Sequence, residues 1–369
     1  MAKIAYVDHS YHKKTVSTKF IPEILESYGH DVEFFWDDSW QGGKSVSFYD
    51  LLDYDCVIMF QSFCDIKENE FFSKLHDNVV YIPMLDQFGV WRGPINNTHD
   101  FWKKFQGSKV VNFSMTSHGI TVGSGIRSKL FKFYRQPIED IQNVEDGLHG
   151  FFWIRLEDEL SWEKVKKLIG KTKFNSFHLH IAKDPNSSDV RMPSEEDIKE
   201  YNITITTWFD SKEDFENILN KSNVYFTPRM EEGIGQSFLE AFARGQCVVA
   251  PNNGTMNEYI QDGFTGLLYD HEEIKPLDFS KVEYIRKNTY ESCKQGYYNW
   301  LMSHYKLVNY ILKNNSEAYN NRYDYFSDNF FDGSANTKNK CKEQIKKFIK
   351  TKSYLYEPYK FLVKFRRNN

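Results

Sequence analysis

Residues 228–270 read PRMEEGIGQSFLEAFARGQCVVAPNNGTMNEYIQDGFTGLLYD, and the order of residue types in this stretch decides the fold. A strand closing at Thr227 runs into a loop carrying Arg229, Glu231 and Glu232. Gly233 and Gly235 then let the backbone turn tightly, and a helix begins near Gln236. The first amides of such a helix have no carbonyl of their own, so they face the space beyond the strand end and suit a phosphate or diphosphate. Glu240 follows Glu232 by eight residues, and two carboxylates placed so accept hydrogen bonds from the vicinal hydroxyls of sugars. A second reading stays open from spacing alone, because an acid near a helix start is favoured by the helix dipole.

Outward from this turn, strands alternate with helical periodicity along most of the chain. Apolar runs at 3–7, 32–36, 56–61, 79–84 and 109–113 predict strands, with a helix over 18–28 whose apolar residues share one face. After a turn-rich stretch at 137–150 the alternation restarts. Strands are expected at 151–154, 177–182, 203–208, 224–227, 247–250 and 266–268, and helices at 162–169, 212–220 and 236–244. Ser211 with Asp214 three residues on reads as a helix-capping pair. The pattern is that of an α/β protein with two doubly wound, Rossmann-like domains, 1–147 and 148–318, and a ligand cleft between them at the carboxyl ends of the strands. A helix at about 289–312 closes the second domain, and 319–369 reads as a linker and a basic aromatic tail.

The chain has 369 residues and a net charge of −4, which gives no global field for nucleic acid. Five scattered cysteines outside any C-x-x-C pair point to reduced thiols and a cytoplasmic location, with neither disulfides nor a zinc framework. No apolar run approaches the roughly 20 residues that span a bilayer. Positive charge collects at the end: from Lys338 to Arg367 there are eleven basic residues against two acids, interleaved with rings. That segment suits the anionic surface of a membrane, peripherally, through 340–369; packing of its rings on the protein body is the equal alternative.

The stretch resembles the donor site of retaining GT-B glycosyltransferases, the glycosyltransferase-4 type. The residues that carry the likeness are Glu232-GIGQSFL-Glu240, then Ala241, Ala243 and Gly245, an apolar strand, Gly254, Glu258, and Asp262 to Gly266 in the pattern D-G-x-T-G. The resemblance implies a GT-B fold and a nucleoside diphosphate sugar as donor substrate, with no further cofactor and no metal. By it, Glu232 contacts the donor sugar near the reacting centre and Glu240 binds the ribose, while the amides of Gln236, Ser237 and Phe238 after the Gly233–Gly235 turn hold the diphosphate. It also implies a basic pair at the start of the second domain. Arg155 fits the first position, but Leu160 stands where a lysine is expected; Lys164, Lys183 and Arg229 are the candidates for the second charge, and without one of them the leaving group is held more weakly. Trp208 falls where the family places its base-binding loop.

Other candidates come from position alone. Asp86 follows the fourth strand and His118 the fifth, both at the cleft edge, and the loop Asp8-His9-Ser10-Tyr11-His12-Lys13-Lys14 follows the first. Asp53-Tyr54-Asp55 has the letters of a metal motif but reads as a polar turn before a strand. The expectation is a retaining, metal-independent transferase that moves a hexose to a glycan or lipid-linked glycan in surface polysaccharide synthesis. The alternatives are a non-catalytic nucleotide-sugar-binding subunit and a sugar-nucleotide epimerase of the same fold. The base, UDP or GDP among others, stays open.

Overall fold

A computed structural model describes residues 1–15, 17–65, 71–88, 98–141, 143–184, 188–208 and 211–315. The linker and basic tail expected over 319–369 lie outside the described residues, as does Cys341.

Six strands make the first sheet: β1 (Lys3–His9), β2 (Asp31–Asp37), β3 (Cys56–Phe60), β4 (Val79–Ile82), β5 (Lys109–Asn112) and β6 (Arg127–Leu130), in the order β2-β1-β3-β4-β5-β6. Six more make the second: β7 (His149–Ile154), β8 (Ser176–Ile181), β9 (Ile203–Thr206), β10 (Val224–Phe226), β11 (Cys247–Pro251) and β12 (Leu267–Tyr269), in the order β12-β11-β10-β7-β8-β9. Every pairing is parallel. Central strands such as β3 (CVIMF) are buried on both faces, which is why they read as unbroken apolar runs. Both sheets belong to one compact unit.

The crossovers carry helices α1 (His12–Thr15), α2 (Phe20–Ser27), α3 (Thr98–Lys103), α4 (Met115–Gly123), α5 (Trp162–Ile169), α6 (Glu195–Glu200), α7 (Lys212–Leu219) and α8 (Gln236–Ala243), and the long α9 (Val282–Leu312) ends the described chain. Sequence periodicity accounts for the amphipathic ones. In α5, Trp162, Val165, Leu168 and Ile169 are buried, and Ser161 caps the start by accepting from the Lys164 amide. Ser211 caps α7 in the same way, accepting from the Asp214 amide at 3.1 Å.

The short helices α1, α3 and α6 were not expected, and β6, α4 and α9 also differ from expectation. β6 (RSKL) has no apolar run, yet it pairs with β5 as the edge of the sheet, where only one neighbouring strand is needed. α4 occupies residues expected as loop, because its start is capped by Ser114 and by a side chain from the other lobe described below. α9 begins at Val282, seven residues earlier than its apolar pattern shows.

α9 starts beside the second sheet and finishes on the first. Trp300 packs its ring on Phe20, Phe113 and Phe133, so both lobes share one apolar core. The helix end is fastened by Lys109, fully buried on β5. Its ammonium donates to the carbonyls of Tyr310 (2.8 Å) and Ile311 (2.9 Å), and to that of Lys313. A cation on orphan carbonyls at a helix C-terminus satisfies them and opposes the negative end of the dipole. Asn78 adds a bond to the Ile311 carbonyl at 3.1 Å. None of the described helices is long and apolar enough to cross a membrane. The described cysteines, Cys56, Cys64, Cys247 and Cys293, are unpaired and buried.

Candidate functional site

The turn into α8 is built as its residues require. Gly235 takes φ +76°, ψ 50°, and a Cβ there would lie 2.0 Å from the Phe238 ring, so the position excludes side chains twice over. Leu239 donates to the Gly235 carbonyl at 3.1 Å, and helix geometry leaves the amides of Gln236, Ser237 and Phe238 without an intrahelical acceptor. Phe238 contributes only its backbone here; its ring is core, against Tyr259 and Phe242. Gly233 lets the first lobe come close, since a Cβ there would meet the Met84 side chain at 2.4 Å. Gly254 does the same for Leu85, at 2.8 Å.

Glu232 is 8% exposed, and the charges bearing on it are those of Arg229, Arg155, Asp86 and Asp184. Burial raises its carboxyl above the ordinary range, although the two guanidinium groups pull the other way. Arg229, three residues past the end of β10, donates to Asp86 Oδ2 across the cleft at 3.2 Å. Burial works against its charge, but Glu232, Asp86, Asp184 and Glu159 together hold that charge in place, and its pKa is raised. Arg155, one residue past β7, donates through Nε and Nη2 to Asp184 Oδ1, both at 2.8 Å, and lies over the Trp153 ring. Two cations and three carboxylates from both lobes therefore meet at the carboxyl ends of β4, β7, β8 and β10.

Placement sets the three candidates for the second charge apart. Leu160 is 1% exposed and packed in the core of the second lobe, an environment that would strip a lysine of its water. Lys164 donates to the carbonyls of Asp158 and Glu159, and Lys183 pairs with Asp189. Arg229 alone of the three acts on Glu232 alongside Arg155.

Other expected residues stand apart from this group. Trp208 is 70% exposed beyond the end of β9, so it is a surface ring and not a core one. That strand stops at Thr206, short of the expected Trp208. His118 lies on α4, not on a loop, with Nδ1 2.7 Å from Ser128 Oγ on β6. Glu240 is half-buried, and its Oε1 accepts from Arg135 Nη2 at 2.8 Å. Asp55, of the D-x-D letters, accepts the Lys3 amide at 2.8 Å, at the opposite end of the first sheet.

Two contributors, Asp184 and Arg135, were not singled out from the sequence. Asp184 follows β8 as Asp86 follows β4, so the strand-end rule could have found it. Arg135 sits in the segment between the lobes and carries no positional signal. Glu258, a letter of the resemblance, accepts from Ser114 Oγ (2.8 Å) and from the amides of Met115 (2.7 Å) and Thr116 (3.2 Å). A carboxylate of one lobe thus caps a helix of the other.

The loop after β1 faces the α8 turn, since Gln236 Nε2 donates to the Ser17 carbonyl at 3.3 Å. Within it, His9 feels the charge of Asp86.

Residues 155–290 match the family model of glycosyl transferases group 1. No curated protein matches the sequence. Among solved structures, a sucrose-phosphate synthase from Thermosynechococcus elongatus is similar at 13% identity and TM-score 0.61, over 88% of this chain and 100% of its own. A glycosyltransferase from Rickettsia africae is similar at 15% identity and TM-score 0.58, over 85% and 99%. HepE from Anabaena, in complex with UDP and glucose, is similar at 14% identity and TM-score 0.53, over 84% and 99%. At such identities the likeness is one of fold, and the fold is GT-B.

Proposed function

We propose that this chain, a group 1 glycosyltransferase of GT-B fold, moves a hexose from a nucleoside diphosphate sugar to a glycan or lipid-linked glycan acceptor. Configuration is retained, no metal sits on the donor diphosphate, and the product enters surface polysaccharide. The observation that carries the reading is the buried Glu232 between Arg155 and Arg229, beside the free amides of Gln236, Ser237 and Phe238. HepE, similar in fold, is described in complex with UDP-glucose, which supports a donor of that class.

In this reading the helix amides and the two guanidinium groups hold the diphosphate and stabilise its charge as the sugar–phosphate bond breaks. Glu232 accepts from hydroxyls of the transferred sugar. Glu240, oriented by Arg135, accepts from the ribose, and Trp208 lies near the base. Asp86 and Asp184 keep the arginines from collapsing onto Glu232 before the donor arrives. Peripheral attachment to an anionic membrane through 340–369 would bring a lipid-linked acceptor within reach. It predicts that a chain lacking 340–369 is lost from anionic vesicles in a sedimentation assay, and equal binding would remove it.

The test is thermal shift against UDP-, GDP-, ADP- and CDP-sugars, since a ligand that binds the folded form alone raises apparent stability. One donor should raise the midpoint well above the others, and Glu240→Ala should abolish that rise. A flat response to all of them would end the proposal. Product analysis with the matched donor then separates transfer to an acceptor from epimerisation of the donor.

A further inference from the structure

We propose that Asp8, His9 and His12 form a binding site for one first-row divalent cation of the zinc type. β1 ends at His9 and α1 begins at His12, so a single turn brings a carboxylate and two imidazoles together at the carboxyl end of the strand. One ligand atom from each lies within 4.8 Å of the others, and the two rings are 3.7 Å apart between centroids.

Two features of this cluster are unexplained by packing. Asp8 is fully buried, and among the described residues its ion-pair partner is His12, at 2.6 Å; no lysine or arginine pairs with it. Its remaining bonds come from the neutral donors His9 N–H (2.8 Å) and Thr18 Oγ–H (2.6 Å). A carboxylate taken out of water this completely calls for positive charge beside it. The second feature is His9. Its Nε2 faces Gln61 Oε1 at 3.3 Å, and because a carbonyl oxygen only accepts, Nε2 carries the ring proton. Nδ1 is then a bare lone pair, and that atom is buried with no hydrogen-bond partner. A cation supplies both needs at once, replacing the proton that lies between His12 Nδ1 and Asp8 Oδ1.

Two nitrogens and one carboxylate oxygen select zinc, cobalt or nickel over magnesium and calcium, which take oxygen ligands. Three protein donors also leave a coordination position open toward the cleft. The inference is independent of which donor the opposite lobe binds.

The test uses the full-length protein, stripped with a chelator and titrated with zinc sulfate in a calorimeter. One ion per chain should bind, magnesium chloride should give no heat, and cobalt(II) should show the visible bands of a low-coordinate nitrogen and oxygen site. His9→Ala and His12→Ala should each weaken zinc by more than about a hundredfold, beyond what losing an outer partner costs. His30→Ala, at the other end of the sheet, should leave binding unchanged. X-ray absorption of the wild-type zinc form should show imidazole scattering, a reading that does not depend on any variant folding. Zinc binding that survives both substitutions, no stoichiometric binding by the wild type, or a spectrum without imidazole would each overturn the site.

Discussion

The turn of residues 232–238 and the loop of residues 8–18 face each other at the carboxyl ends of strands from different sheets, and they are built on opposite plans. The turn works through backbone: glycines at fixed places, three free amides, and a phenylalanine whose ring is only ballast. The loop works through side chains gathered on a buried aspartate, with no glycine between Asp8 and Thr18. A backbone device tolerates almost no change at its glycines, whereas a side-chain device tolerates change everywhere except at its polar centre.

The sharpest way to break this contrast is substitution. Gly235→Val should cost roughly 3 kcal/mol or more, from the positive φ and the overlap with Phe238, and should abolish donor binding in the same thermal-shift assay. Lys13→Val in the opposing loop, by contrast, should move stability by no more than about 0.5 kcal/mol. Comparable losses at both positions would erase the distinction.

Next in size is the charge group around Glu232. Glu232→Gln should lower sugar transfer by about a hundredfold or more while leaving the melting temperature close to that of the wild type, because the buried site loses a charge and keeps its shape. Release of the nucleoside diphosphate, followed by chromatography, checks it. Arg229→Gln should weaken binding of the matched nucleoside diphosphate by about tenfold, the worth of a charge-assisted contact to phosphate. Lys164→Gln and Lys183→Gln should leave it unchanged, since those lysines are engaged elsewhere.

The smallest expected effect is on pH dependence, and it concerns the second lobe. His178 and His180, neighbours on β8, are each pushed down to about 4, chiefly by burial, with Lys221 adding to the first and His178 to the second. The unfolded chain takes up protons below about 6.5 that the fold refuses until about 4. Stability present at neutral pH is therefore lost as pH falls through that window. His180→Gln should make the acid limb of melting temperature against pH shallower, by a few degrees at its foot. An unchanged limb would show that other groups carry it.

How much of this was legible from residues alone follows from the same contrast. The α8 turn could be read because positive φ and close approach admit only glycine, so Gly233, Gly235 and Gly254 stand in the sequence as geometry. Strands buried on both faces could be read as well, whereas β6 could not, since an edge strand needs no apolar run. Arg155, Glu232 and Arg229 were in view through the family resemblance and Asp86 through its place after a strand, and the structure gathers them. It leaves Lys183, Trp208 and His118 outside that group, because neither a family register nor a place after a strand says which way a side chain turns. Arg135 and the reach of Glu258 to α4 were illegible, for they depend on how two lobes meet.

The hold of Lys109 on the last carbonyls of α9 has a practical consequence. A gene split after β6, or a second lobe expressed by itself, would carry a long helix whose final turn has lost its anchor and whose tryptophan has lost half its pocket. Anyone dissecting this molecule into halves should therefore co-express them, or graft β5 along with the helix, because neither piece owns the fastening that both require.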